Sequence, residues 1–103
     1  MAGPEKEFEN KVKKYLDKLP KCWYIKIWGG GFMKAGIPDI LGVINGKFIA
    51  LELKGPNGVP SELQKRNIRI INQCGGWGVI LYPKDFEEFK EGVKKLYVDT
   101  FNE

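Results

Sequence analysis

A chain of 103 residues is the size of one ordinary domain, and it is read here as a single unit covering 1–103. Apolar residues make up 43% of it, yet no run approaches the roughly 18 apolar residues of a membrane span and the first residues lack a secretory pattern. A protein with no membrane contact and a cytoplasmic setting is therefore expected. Seventeen basic against thirteen acidic residues leave a net charge of +4, which leans towards polyanionic partners, and the absence of histidine excludes His-based triads, HEXXH zinc sites and nucleases with a histidine base.

The two cysteines, Cys22 and Cys74, form no CxxC pair, so neither zinc nor a disulfide framework is indicated, and both are expected as reduced core residues. Hydrolytic chemistry, if present, falls to carboxylates, lysine and a metal.

Along the chain, Phe8, Val12, Tyr15, Leu16 and Leu19 recur at helical spacing over residues 5–19 until Pro20 stops the pattern, which predicts an amphipathic helix. Residues 23–28 alternate as a strand and run into the glycines at 29–31. Residues 37–44 and 47–53 are two β-rich apolar runs separated by Asn45-Gly46, a strong hairpin signal. After a loop at 55–60, Ser61 and Gln64 fit a capping box for a helix bearing Leu63, Ile70, Ile71 and Cys74. Residues 77–82 form a short strand, and Asp85 with Glu88 caps a last helix bearing Phe86, Phe89, Val93 and Leu96. The order αβββαβα predicts an α/β fold, one mixed central sheet flanked by helices.

A two-residue loop sets strand register, so Ile44 faces Lys47 and, counting outward, Asp39 faces Glu52. Directly opposed side chains have Cβ atoms about 4.5–5.5 Å apart, and two like charges there destabilise a sheet unless something neutralises them. Lys54, two residues beyond Glu52, projects from the same face. The alternative is a solvated surface pair with a lysine partner. Against it, Asp39 follows Pro38 in an apolar run and Glu52 lies between Leu51 and Leu53, an environment where ionised groups require compensation. On the helices, Glu9 and Gln64 each flank the apolar stripe and can lean over the sheet; for Gln64 the capping box is an equal explanation.

Gly36, Pro38 and Asp39, then Glu52 and Lys54, then Gln64, with Glu9 upstream, resemble the signature of the PD-(D/E)xK nucleases and in detail the VRR-NUC branch: a helical glutamate, GxPD, ExK and a glutamine opening the next helix. The resemblance covers about residues 5–82. It implies a restriction-endonuclease-like αβββαβ core, similar to Holliday-junction resolvases, and phosphodiester hydrolysis dependent on Mg²⁺ or Mn²⁺. Asp39, Glu52 and the Leu53 carbonyl, with Glu9 completing the shell, are the implied ligands, and Lys54 and Gln64 the implied catalytic partners. DNA, branched in particular, is the implied substrate, and a homodimer is expected because one such site cuts one strand. Trp23, Trp28, Phe32 and Tyr97 are candidates for its interface. Lys26, Lys34, Lys65, Arg66 and Arg69, with Gly30 in the glycine loop, are candidates for DNA contact, although exposed lysines are commonly only solvating. The alternatives are a non-catalytic nucleic-acid-binding module of the same fold and a nicking nuclease recruited by a partner.

Overall fold

The computed structural model of the protein describes residues 3–28 and 35–98. Its organising element is the turn at Asn45 and Gly46, whose φ angles of 47° and 88° are both positive, as a two-residue hairpin turn that follows the twist of its strands requires. It joins β2 (Ile40–Ile44) to β3 (Lys47–Leu53) in the register expected from the sequence, Ile44 opposite Lys47 through to Ile40 opposite Leu51. β1 (Cys22–Lys26) pairs antiparallel with β2, and β4 (Trp77–Leu81) pairs parallel with β3, giving a mixed sheet in the order β1-β2-β3-β4. Parallel pairing needs a crossover, which α2 (Glu62–Gln73) supplies. With α1 (Pro4–Asp17) before the sheet and α3 (Phe86–Val98) after it, the element order is the predicted one.

Alternation along the strands gives the sheet two unequal faces. Ile49, Leu51 and Leu53, with Ile40, Ile44 and Leu81 from the neighbouring strands, pack against Phe8, Val12 and Leu16 of α1 and Phe86, Phe89 and Val93 of α3. That is the main core. α2 lies on the opposite face over β3 and β4, where Gly78 gives it room: a Cβ there would lie 3.1 Å from the Ile68 carbonyl oxygen. The part of that face formed by β1, β2 and the start of β3 is uncovered, leaving Trp23, Ile25 and Phe48 exposed.

Several expectations need correction. β2 begins at Ile40 instead of residue 37, because Pro38 has no N–H to give to a ladder. On α2 it is Ile68 that is buried, while Leu63 and Ile70 are exposed, since the helix covers only part of its sheet face. Both cysteines are free, but only Cys22, half-buried on edge strand β1, packs against the core, while Cys74 is exposed where α2 ends. The last helix is entered through a 3₁₀ turn, Pro83–Asp85, so Asp85, expected with Glu88 to cap the helix, instead closes that turn, which begins at Tyr82 without a side-chain cap.

Asn72, near the end of α2, reaches β4. Its Nδ2 donates to the Gly78 carbonyl (3.0 Å) and its Oδ1 accepts the Gly78 N–H (2.9 Å). Among the described residues, no helix is long and apolar enough to cross a membrane.

Candidate active site

The C-terminal end of β3 gathers the charges. Glu52 is 2% exposed, and its Oε2 meets Lys54 Nζ at 3.3 Å and accepts from Gln64 Nε2 at 3.0 Å. Its other oxygen, Oε1, is buried without a hydrogen-bond partner. A carboxylate oxygen stripped of water and left unpaired is unfavourable. Burial pushes the Glu52 carboxyl up to about 7, with the negative charge of Asp39 adding to the rise and Lys54 opposing it.

Asp39 stands one step beyond the last ladder pair. Its Oδ2 accepts the Leu53 N–H over 2.8 Å, and its backbone carbonyl accepts from Ile27 over 2.7 Å, which ties it to both neighbouring strands. The approach of Asp39 to Glu52 foreseen from the hairpin is therefore present, with Leu53 contributing its amide.

Gly36 explains why this turn fits. It has φ +85°, and a Cβ on it would lie 2.8 Å from Leu63 Cβ and 2.9 Å from the Leu63 carbonyl carbon, so only glycine passes beneath the start of α2. Asn67 holds it there, donating from Nδ2 to the Gly36 carbonyl over 2.8 Å. Sequence reasoning missed Asn67; its spacing of one turn from Gln64 on the same helix was the available signal. Lys54 is fenced in a similar way. A Cβ on Gly58 would lie 3.1 Å from Lys54 Cδ, and Tyr82 donates to the Gly58 carbonyl over 2.9 Å, so the loop after β3 packs on the lysine stem.

Gln64 closes the capping box and also reaches Glu52. Ser61 Oγ accepts the Gln64 N–H over 3.1 Å and Gln64 Oε1 accepts the Ser61 N–H over 2.8 Å, completing the capping box, while Nε2 is left to address Glu52.

Glu9 reaches the cluster from the other face of the sheet. It is 7% exposed and surrounded by ammonium groups: Oε2 lies 3.0 Å from Lys6 and 3.2 Å from Lys13, and Oε1 lies 3.1 Å from Lys26. Burial pushes its carboxyl up, but hydrogen bonds from Lys6, Lys26 and Lys13 outweigh that and hold it at about 2. Lys26 also lies 3.4 Å from Asp39 Oδ1. Although burial works against its charge, Glu9 and Asp39 keep the Lys26 ammonium above its usual range. Glu9 thus joins the site through Lys26, and among the described residues no three acidic or cysteine side chains are gathered as a metal cage. Asp39 and Glu52 are brought together at the end of β3, and their hard oxygens, with the orphaned Oε1, would suit a divalent cation completed by backbone oxygen and water.

Of the candidates for DNA contact, Lys26 belongs to the carboxylate cluster itself. On α2, Lys65 pairs with Glu62 at 2.8 Å, and Arg66 and Arg69 are exposed. Gly30 and Lys34, with the rest of the glycine loop and Phe32, lie outside the described residues. Trp28 is 68% exposed, with the Lys6 and Lys26 ammoniums 5.4 and 5.9 Å from its ring centre. A concavity between β4 and α3, lined by Trp77, Val79 and Phe89, lies apart from the carboxylate cluster. No known family model matches the sequence, and no curated protein is significantly similar to it.

Proposed function

We propose that this chain is a metal-dependent nuclease of the PD-(D/E)xK superfamily, of the VRR-NUC branch and with a restriction-endonuclease-like core, that hydrolyses DNA phosphodiester bonds. The observation that carries the reading is Glu52: a buried carboxylate beside Asp39, with Lys54 and Gln64 both on Oε2 and nothing on Oε1. Once ionised, such a group calls for further compensation, which a bound cation would supply. Asp39, Glu52 and the Leu53 carbonyl are the groups that would hold Mg²⁺ or Mn²⁺, which when bound acidifies water and stabilises charge on phosphate.

The remaining roles fall to the chain's own side chains. Lys54 offers its ammonium to the attacking water or to a phosphate oxygen. Gln64 keeps Glu52 oriented, and the Gly58 loop limits the paths open to Lys54. Arg66 and Arg69 offer cations to a nucleic-acid backbone on the α2 side. Branched DNA and a homodimer accompany the reading, since cutting both strands of a junction needs two sites in fixed relation, and the uncovered face bearing Trp23, Ile25 and Phe48 is suited to association.

The test is cleavage of matched linear, flap and four-way DNA with Mg²⁺, Mn²⁺ or EDTA. Metal-dependent hydrolysis abolished by Asp39→Asn and by Glu52→Gln is expected; either variant cutting at the wild-type rate would put the chemistry elsewhere.

A further inference from the structure

Lys26 occupies an unusual position for a surface cation. It comes from the last residue of β1, its side chain is 16% exposed, and its ammonium lies 3.1 Å from Glu9 Oε1 and 3.4 Å from Asp39 Oδ1. One positive charge therefore bridges two carboxylates from different elements, as a metal ion would. Glu9 does not depend on it alone, because Lys6 and Lys13 hold its other oxygen. Asp39 Oδ1, by contrast, is held by Lys26, while Oδ2 is committed to the Leu53 amide. Oδ2 already accepts one hydrogen bond, so Oδ1 is the freer oxygen for a cation, and it is the one that Lys26 approaches. Above Lys26 is the exposed indole of Trp28, 5.9 Å from the ammonium, a second resting place for a displaced cation.

The geometry points to Lys26 as an internal counter-ion that stands in for the divalent cation and must leave Asp39 when one is bound, so that Lys26 sets the metal affinity of the site. This rests on the metal-dependent reading above. In this arrangement Glu9 is a positioning residue: it keeps Lys26 beside Asp39 and, once the lysine has moved, retains Lys6 and Lys13 as partners. The stand-in limits the repulsion between Asp39 and Glu52 before metal arrives, and it opposes binding, since a full positive charge a few ångströms from an incoming cation weakens it.

Calorimetric titration of Mn²⁺ into wild type, Lys26→Met and Lys13→Met tests this without any measurement of cleavage. Lys26→Met keeps the aliphatic stem and removes the charge; it is expected to bind Mn²⁺ about tenfold or more tightly. Lys13→Met removes a cation that touches Glu9 and not Asp39, and a change of less than about twofold is expected, because that charge acts from further away. Equal or weaker binding by Lys26→Met than by wild type overturns the inference and leaves the nuclease reading intact. Failure of every protein, wild type included, to bind Mn²⁺ overturns both. Wild type with ¹³C-methylated lysines supplies a readout that does not depend on a variant folding: the Lys26 resonance is expected to shift on saturation with Mg²⁺, and a resonance that stays in place while Mg²⁺ binds contradicts displacement.

Discussion

Gln64 and Glu52 meet through half of an amide: Nε2 of Gln64 donates to Glu52 Oε2 over 3.0 Å, while Oε1 accepts the Ser61 N–H over 2.8 Å. The side chain that starts α2 is thus the one that orients the buried carboxylate, and local helix formation is coupled to the site. Gln64→Ala is expected to cost about 1–2 kcal/mol through the lost cap and the lost partner of Glu52, and to slow cleavage at least tenfold. Gln64→Glu keeps an acceptor for Ser61 but sets a like charge against Glu52, so cleavage falls with a smaller loss of helix stability. Urea unfolding in EDTA beside cleavage rates separates the two effects; Gln64→Ala cutting like wild type would reduce the residue to a cap.

The two buried glutamates make opposite contributions to stability against pH. Glu52, raised to about 7 from an ordinary 4.5, binds its proton more tightly folded than unfolded, so its contribution is full below pH 4.5 and is lost as pH rises through 7. Glu9, lowered to about 2, contributes fully above pH 4.5 and loses that contribution as pH falls towards 2. In EDTA, Tm is expected to fall between about pH 4.5 and 7 through Glu52, and Glu52→Gln should flatten this limb. Glu9→Gln should instead flatten the acid limb. Unaltered slopes in both variants would contradict the assigned environments.

Lys54→Ala is expected to lose cleavage and keep appreciable Mn²⁺ affinity, because an ammonium is not a ligand. Calorimetry in Mn²⁺ distinguishes this from a structural salt bridge to Glu52, whose removal would abolish binding and activity together.

Gly36→Ala combines an unfavourable positive φ with a clash against the Leu63 backbone, for an expected loss of about 2–4 kcal/mol. Asp39 follows three residues later, so metal binding should weaken with stability. A thermal melt within about a degree of wild type would show that the turn relaxes more easily than its contacts imply.

Self-association is expected through the uncovered sheet face. Light scattering should give a dimer at micromolar concentration and a monomer for Trp23→Glu, which places a charge on an indole 62% exposed. Linear duplex cut as fast as a four-way junction would remove the preference for branched DNA without touching the chemistry.

The approach of Asp39 to Glu52 was legible because it is local: two residues with positive φ set a register, and counting along both strands does the rest. The capping box was legible for the same reason. Lys26 was not. Strand alternation assigns it a face, but its partner Glu9 comes from a helix seventeen positions earlier, and only the packing of α1 against the sheet brings the two together. The exposure of Leu63 and Ile70 was hidden likewise, since periodicity shows which side of α2 is apolar and not how much sheet remains for it to cover.

The pairing of Asn72 with Gly78 has a consequence for how the sheet can grow. By engaging both backbone groups of one β4 residue, the side chain takes the place of a neighbouring strand, and any chain adding there must first evict it. β1, paired only with β2, has no such stopper among the described residues. Strand addition at the β4 margin is thus opposed by a side chain of the chain itself, a guard that acts through the backbone and would be lost with Asn72.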